Sequence, residues 1–173
     1  IRPRSDGAVH HATIRLDTSG MARDLDADDP QPGYGGFMVE SAQFPPGHVL
    51  GWSPGKRATE QQDGLSWELA TEVDLVLQLH LLPGAEERNV QPEIGLYFDD
   101  EPATLEPVSV ILQSMTIDIA PGDSEYVVLD AYRLPVALDL LAIYPHAHYL
   151  GRQMQVTATH PDGMVQTLLR IDD

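Results

Sequence analysis

Short runs of β-branched and aliphatic residues, cut by Gly and Pro, set the rhythm of the chain. Nine of them predict strands, at 8–16, 75–82, 93–98, 108–112, 115–119, 126–132, 139–145, 153–159 and 165–171. Several alternate cleanly, as in Thr13-Ile14-Arg15-Leu16-Asp17 and Met154-Gln155-Val156-Thr157-Ala158-Thr159. Successive strand side chains point to opposite faces, so alternation means one buried face and one wet face. Turn residues fill the gaps: Pro30-Gln31-Pro32-Gly33, Pro45-Pro46-Gly47, Pro54-Gly55, Pro83-Gly84 and Pro121-Gly122. Pro161-Asp162-Gly163 predicts a hairpin joining the last two strands. Helical patterning is poor, and the best candidate, 66–73, has too few apolar positions for a stripe. Many short strands with turns between them predict an all-β, antiparallel sandwich or jelly roll.

Composition adds boundaries to this pattern. The 173 residues suffice for one ordinary domain or two small ones, and a 42 % apolar share is enough for a core. Texture changes at the acidic Asp99-Asp100-Glu101-Pro102, which predicts a linker between units at 1–101 and 102–173. The second, of about seventy residues, is near the lower limit for folding without staples. No apolar run approaches the ~20 residues of a membrane-spanning helix. There is no initiator Met and Ile1 begins no signal peptide, so the chain reads as processed, excised or incompletely recorded at its start.

Charge and cysteine then narrow the chemistry. With 27 acidic and 10 basic residues the net charge is -17, which argues against nucleic acid or an anionic membrane as partner. The absence of cysteine excludes disulfides, iron–sulfur clusters, thiolate zinc and cysteine nucleophiles. Asp24-Leu25-Asp26-Ala27-Asp28-Asp29 begins like a calcium loop, but Asp29 and Gly35 stand where Gly and Glu are required. It reads as a solvated acidic loop. Gly51-Trp52-Ser53-Pro54-Gly55-Lys56 lacks phosphate-loop spacing, and Glu86-Glu87 sits in a polar turn.

Seven histidines remain, and their placement is the informative feature. His146 and His148 are two apart at the end of an apolar strand, on one face and roughly 6.5–7 Å apart at Cα. That suits either two imidazoles on one metal or a pair of surface histidines. His10 and His11 are adjacent, so on a regular strand they face opposite ways. Both reach one metal only through a bulge or at a strand end; otherwise one is a core residue and the other exposed. His80 ends the run Leu75-Val76-Leu77-Gln78-Leu79 and reads more readily as a satisfied core histidine than as a ligand. His48 and His160 fall in turns and read as solvated. An all-histidine donor set points to copper or zinc before iron or nickel.

Four motifs in order carry a family resemblance: Val9-His10-His11, Leu50-Gly51-Trp52-Ser53-Pro54-Gly55, Leu75-Val76-Leu77-Gln78-Leu79-His80 and Pro145-His146-Ala147-His148-Tyr149-Leu150-Gly151. The chain resembles the copper type II, ascorbate-dependent monooxygenases, the family of peptidylglycine α-hydroxylating monooxygenase and dopamine β-monooxygenase, and in particular its exported bacterial members. The resemblance implies two successive jelly-roll-like β-sandwiches, 1–101 and 102–173, each with a copper. It implies that His10, His11 and His80 hold the electron-transferring copper and that His146 and His148 hold the oxygen-activating one. It implies a C–H hydroxylation with dioxygen, a small-molecule reductant and an organic substrate, in the periplasm or outside the cell.

Three departures qualify this picture. The family's methionine ligand to the second copper lies well beyond the His-x-His motif, and Met154 and Met164 are too close to match it. Only nine residues precede His10, where the first sandwich normally has strands. Tyr144 stands where peptidylglycine enzymes carry a carboxylate-holding arginine. The expectation is an incomplete second sandwich, an incomplete start to the first, and little or no turnover by this chain alone. The alternative is a non-enzymatic copper-binding or structural subunit of a larger redox assembly, its acidic surface meeting a basic partner. A weaker third reading is a carbohydrate-binding sandwich with Trp52, Trp67 and Tyr149 as stacking rings.

Overall fold

The computed structural model describes residues 1–4, 7–57, 62–147 and 150–172. Its contacts form two compact units, Ile1–Ile111 and Leu112–Asp173. The break falls ten residues beyond the acidic stretch because the intervening segment returns to the first unit. Thr104 and Leu105 both donate their backbone N–H to the Gly64 carbonyl, at 3.0 and 2.9 Å.

The first unit is built on strand β1 (Val9–Asp17). Along one edge β1 pairs antiparallel with β4 (Asp74–Leu81) over almost its whole length. The other edge takes two short strands, β2 (Ala42–Gln43) opposite Leu16 and Asp17, and β3 (Gly51–Trp52) opposite Ala12 and Thr13. Ile14 adds a bond to the Leu50 carbonyl at 2.8 Å. Residues paired across a ladder share a face. One face of β1 and β4 therefore carries Val9, Ala12, Ile14 and Leu16 opposite Leu81, Leu79, Leu77 and Leu75. The core sits here: Val9, Ala12 and Ile14 are buried, joined by Ala8, Ala22, Ala42 and Leu65.

At the far end of β1, Asp17 is buried with 1 % exposure. Its carboxylate accepts from the Ser19 hydroxyl (2.7 Å), the Ser19 N–H (3.0 Å) and the Ala22 N–H (2.9 Å). This arrangement starts the helix α1 (Met21–Asp28). The residue before that helix is Gly20, at φ 77°, with no side chain to cap the free N–H groups. Asp17 supplies the cap to Ala22 from three residues further back, and the Ser19 hydroxyl accepts from Met21 at 3.1 Å. The acidic segment 24–29 is thus largely helical rather than a loop, while 66–73 is not helix. Arg23 of α1 forms an ion pair with Asp74 of β4.

The second unit contains one hairpin, β5 (Gln153–Thr159) against β6 (Val165–Asp172). Its turn falls at Pro161-Asp162-Gly163, as the sequence predicts. His160 N–H donates to the Met164 carbonyl (2.8 Å), Gly163 N–H to the His160 carbonyl (2.9 Å), and Asp162 Oδ1 accepts from Met164 N–H (2.9 Å). Gly163 adopts φ 87°, where a side chain is strained.

The remaining expected strands, 108–112, 115–119, 126–132 and 139–145, do not join a ladder, and 93–98 contributes only an isolated bridge between Glu93 and Arg2. In and beside 115–119 and 126–132, some backbone donors go to side chains. Gln113 N–H bonds Asp130 Oδ2 (2.9 Å), Asp118 N–H bonds the Tyr126 hydroxyl (3.2 Å), and Glu125 N–H bonds Asp123 Oδ1 (2.9 Å). Such bonds compete with strand pairing. They nonetheless run 113–118 alongside 126–130 across the turn at Pro121-Gly122.

All sheet pairing among the described residues is antiparallel and the helix is short, so the fold is all-β in class. No helix among them is long and apolar enough to cross a membrane.

Candidate metal centre

The pairing of β1 with β4 carries one irregularity, and it falls at the adjacent histidines. Val9 pairs with Leu81 and His11 with His80, so β1 advances two residues while β4 advances one. His10 is the extra residue of a β-bulge, in which two residues of one strand face one residue of the other. The geometric obstacle to His10 and His11 serving one metal is removed by this device. His10, His11 and their common partner His80 come together on the polar face of the sheet, opposite the Val9–Ala12–Ile14 face. Were the same residues paired without the bulge, regular alternation would put His10 among the apolar side chains and Val9 on the polar face.

The three rings pack edge to face. Their centroids are 5.2 Å apart for His10 and His11, 5.1 Å for His10 and His80, and 4.7 Å for His11 and His80, with interplanar angles of 65°, 71° and 79°. The Nδ1 atoms of His10 and His11 lie 3.0 Å apart, one donating to the other. One nitrogen from each ring can be chosen so that all three lie within 4.8 Å of one another.

A metal bound by imidazole at about 2.0 Å places neighbouring ligand nitrogens about 3 Å apart and opposed ones about 4 Å. The His10–His11 separation already meets that requirement. The widest separation exceeds it by less than about 1 Å, which side-chain rotation covers. His10 and His11 are half-buried and His80 is exposed, so the site is open to solvent on the β4 side. The cluster can hold a metal ion. It presents three neutral donors and no thiolate or carboxylate, a set suited to zinc, copper or nickel and poor for calcium or magnesium.

The next rung of the same face carries no motif in the sequence. Thr13 and Gln78 are register partners, and the Thr13 hydroxyl donates to Gln78 Oε1 at 3.4 Å. They stand two residues along β1 and β4 from His11 and His80, so the strand alternation of Gln78 and His80 marks that face. Metal-bound imidazoles use polar groups in such positions to fix their tautomers.

The other histidines are dispersed. His146 is exposed and lies in the second unit. His148, its expected partner, falls outside the described residues. His48 is half-buried rather than solvated, and burial holds its imidazole below the usual histidine range. His160 Nε2 pairs with Gln166 Oε1 at 3.1 Å across the β5–β6 hairpin.

No family model, no curated protein and no solved structure matches this chain.

Proposed function

We propose that the chain is a copper-binding portion of an exported bacterial monooxygenase of the type II, ascorbate-dependent kind. The observation that carries this reading is the bulge at His10, which gathers His10, His11 and His80 on one face. A single extra residue converts a sequence pair unfit for chelation into two convergent donors. The β1–β4 sheet is one layer of a first jelly-roll-like sandwich, and the second unit, Leu112–Asp173, belongs to another.

When bound, copper supplies one-electron redox chemistry that no side chain offers. His10, His11 and His80, on two adjacent strands, would hold the electron-transferring ion through neutral imidazole nitrogens. The ladder positions these rings before any ion arrives, which lowers the ordering cost of binding. Binding requires the three imidazoles deprotonated, so acid releases the metal. His146 and His148 would hold the oxygen-activating copper. An organic substrate and a small reductant complete the reaction.

The test is Cu(II) titration with paramagnetic resonance. Wild type shows a nitrogen-coordinated copper signal that His80→Ala removes, with far-UV circular dichroism unchanged. Retention of the same signal and stoichiometry in His80→Ala overturns the assignment. Ascorbate-dependent oxygen uptake by this chain is expected near zero, since neither Met154 nor Met164 has the family's spacing from the His-x-His motif.

A second reading has a specific observation in its favour. The triad belongs wholly to the first unit, so copper binding needs nothing from the second. A non-enzymatic copper-binding subunit of a redox assembly, its acidic surface against a basic partner, uses the same three histidines. Copper binding without turnover, even when the chain is extended to include a methionine ligand, selects this reading.

A further inference from the structure

The first unit also holds a cleft of about 550 Å³ that the histidine triad does not use. Arg2, Lys56 and Arg57 line it, with Trp52 and Tyr97 as aromatic walls and Glu93 as the one acid among the described lining residues. Three of only ten basic residues gather here in a chain of net charge -17, so the cleft reverses the sign of the molecule locally. Trp52 pairs with Ala12 and therefore shares the face opposite the histidines. The two sites are separate.

The backbone of Arg2 and the ammonium of Lys56 are held in place. Arg2 exchanges two backbone hydrogen bonds with Glu93, at 2.8 and 2.7 Å. Lys56 Nζ donates to the Gly51 carbonyl at 2.8 Å and keeps two N–H groups for a ligand. Glu93 is answered from outside the cleft, where Arg4 Nη2 donates to its Oε2 at 2.7 Å. That bond holds the Glu93 carboxyl below its usual range. With Glu93 matched to Arg4, the positive charges of Arg2, Lys56 and Arg57 stand in excess.

A site of this size, lined by two aromatic rings and three cations, takes a small organic ligand. We infer that the cleft binds a small aromatic anion, its charge on Arg2, Lys56 and Arg57 and its ring against Trp52 and Tyr97. Guanidinium and ammonium groups bind carboxylate and phosphate by charge-assisted hydrogen bonds, while a planar ring stacks on Trp and Tyr. The inference stands apart from the copper reading, because no residue of the triad takes part.

The experiment uses the full chain, stripped of metal by EDTA. Benzoate, phenyl phosphate and uncharged benzamide are titrated by calorimetry and by Trp52 fluorescence in a Trp67→Phe background. Saturable binding of benzoate, phenyl phosphate or both is expected, with benzamide at least about tenfold weaker; the tighter of the two anions identifies the charged group. Arg2→Gln with Lys56→Gln should weaken anion binding by at least about tenfold, and the exposed Arg57→Gln alone by about threefold. Copper uptake at the triad and circular dichroism should be unchanged in both. Benzamide binding as tightly as benzoate overturns the inference. So does the absence of saturable anion binding up to about 10 mM, or unchanged affinity in the variants.

Discussion

Asp17→Asn should destabilise the first unit and flatten its acid response. Asp17 is buried, and desolvation by itself would raise its pKa. The Ala22 N–H, the Ser19 hydroxyl and the Ser19 N–H outweigh burial and bring it down from 3.8 to about 2. A lowered folded-state pKa means that the ionised form is favoured by folding. The stabilisation is complete above the unfolded value near 3.8 and is lost as pH falls towards 2. Unscreened, a shift of this size corresponds to about 2.5 kcal/mol. Water close to so small a unit screens the interaction, leaving about 1–2 kcal/mol.

The amide substitution keeps shape and one acceptor oxygen but removes the charge and aims an NH2 group at donors. A loss of about 1–3 kcal/mol at pH 7 is expected, since a cap to α1 and a charge-assisted bond weaken together. The assay is urea denaturation of metal-free protein at several pH values between 7 and 2.5, followed by circular dichroism. Wild type should lose stability steeply below about pH 4, and the variant should follow a shallower course. Glu93 and Asp172 also have lowered pKa values, through Arg4 and Arg170 respectively, but both are solvent-exposed and add little slope. Parallel pH profiles for wild type and variant, or a loss under about 0.5 kcal/mol at pH 7, would refute the reasoning.

The other structural predictions concern backbone devices. Deleting His10 removes the bulge and restores a regular ladder, so copper affinity should fall at least about tenfold while the thermal midpoint holds within a few degrees; titration and a melting curve check both. Gly47 and Gly163 both adopt left-handed backbone, at φ 69° and 87°, but only Gly47 lies against the Pro107 backbone. Gly163→Ala should cost about 1 kcal/mol and Gly47→Ala at least about twice that, because it adds a clash to the strain. Urea midpoints distinguish the two, and equal losses would show that Pro107 gives way freely.

How much of this was legible in the sequence differs from element to element. The alternation in 153–159 and the turn at Pro161-Asp162-Gly163 made the β5–β6 hairpin readable, because pairing and turn chemistry are both local there. Helix α1 escaped because its cap comes from Asp17, beyond a glycine with no side chain, and so has no contiguous N-cap signature. The apolar segments around 115–119 and 126–132 were read as strands on composition. Whether an extended segment joins a ladder depends on where its N–H groups go, and here the Asp118 N–H goes to the Tyr126 hydroxyl and the neighbouring Gln113 N–H to Asp130.

The histidine bulge lies between these cases. Its register is set by β4, some seventy residues downstream, and no local rule fixes it. Yet β1 carries a trace of it. The apolar positions Ala12, Ile14 and Leu16 keep period 2, whereas Val9, buried on the same side, is out of step by one. A strand whose apolar face continues through such a phase slip must carry an extra residue between the two registers. The residues in that interval are His10 and His11. The slip needed to keep Val9 in the core is therefore the same one that turns both imidazoles toward His80. Packing on one face and ligand geometry on the other follow from a single inserted residue.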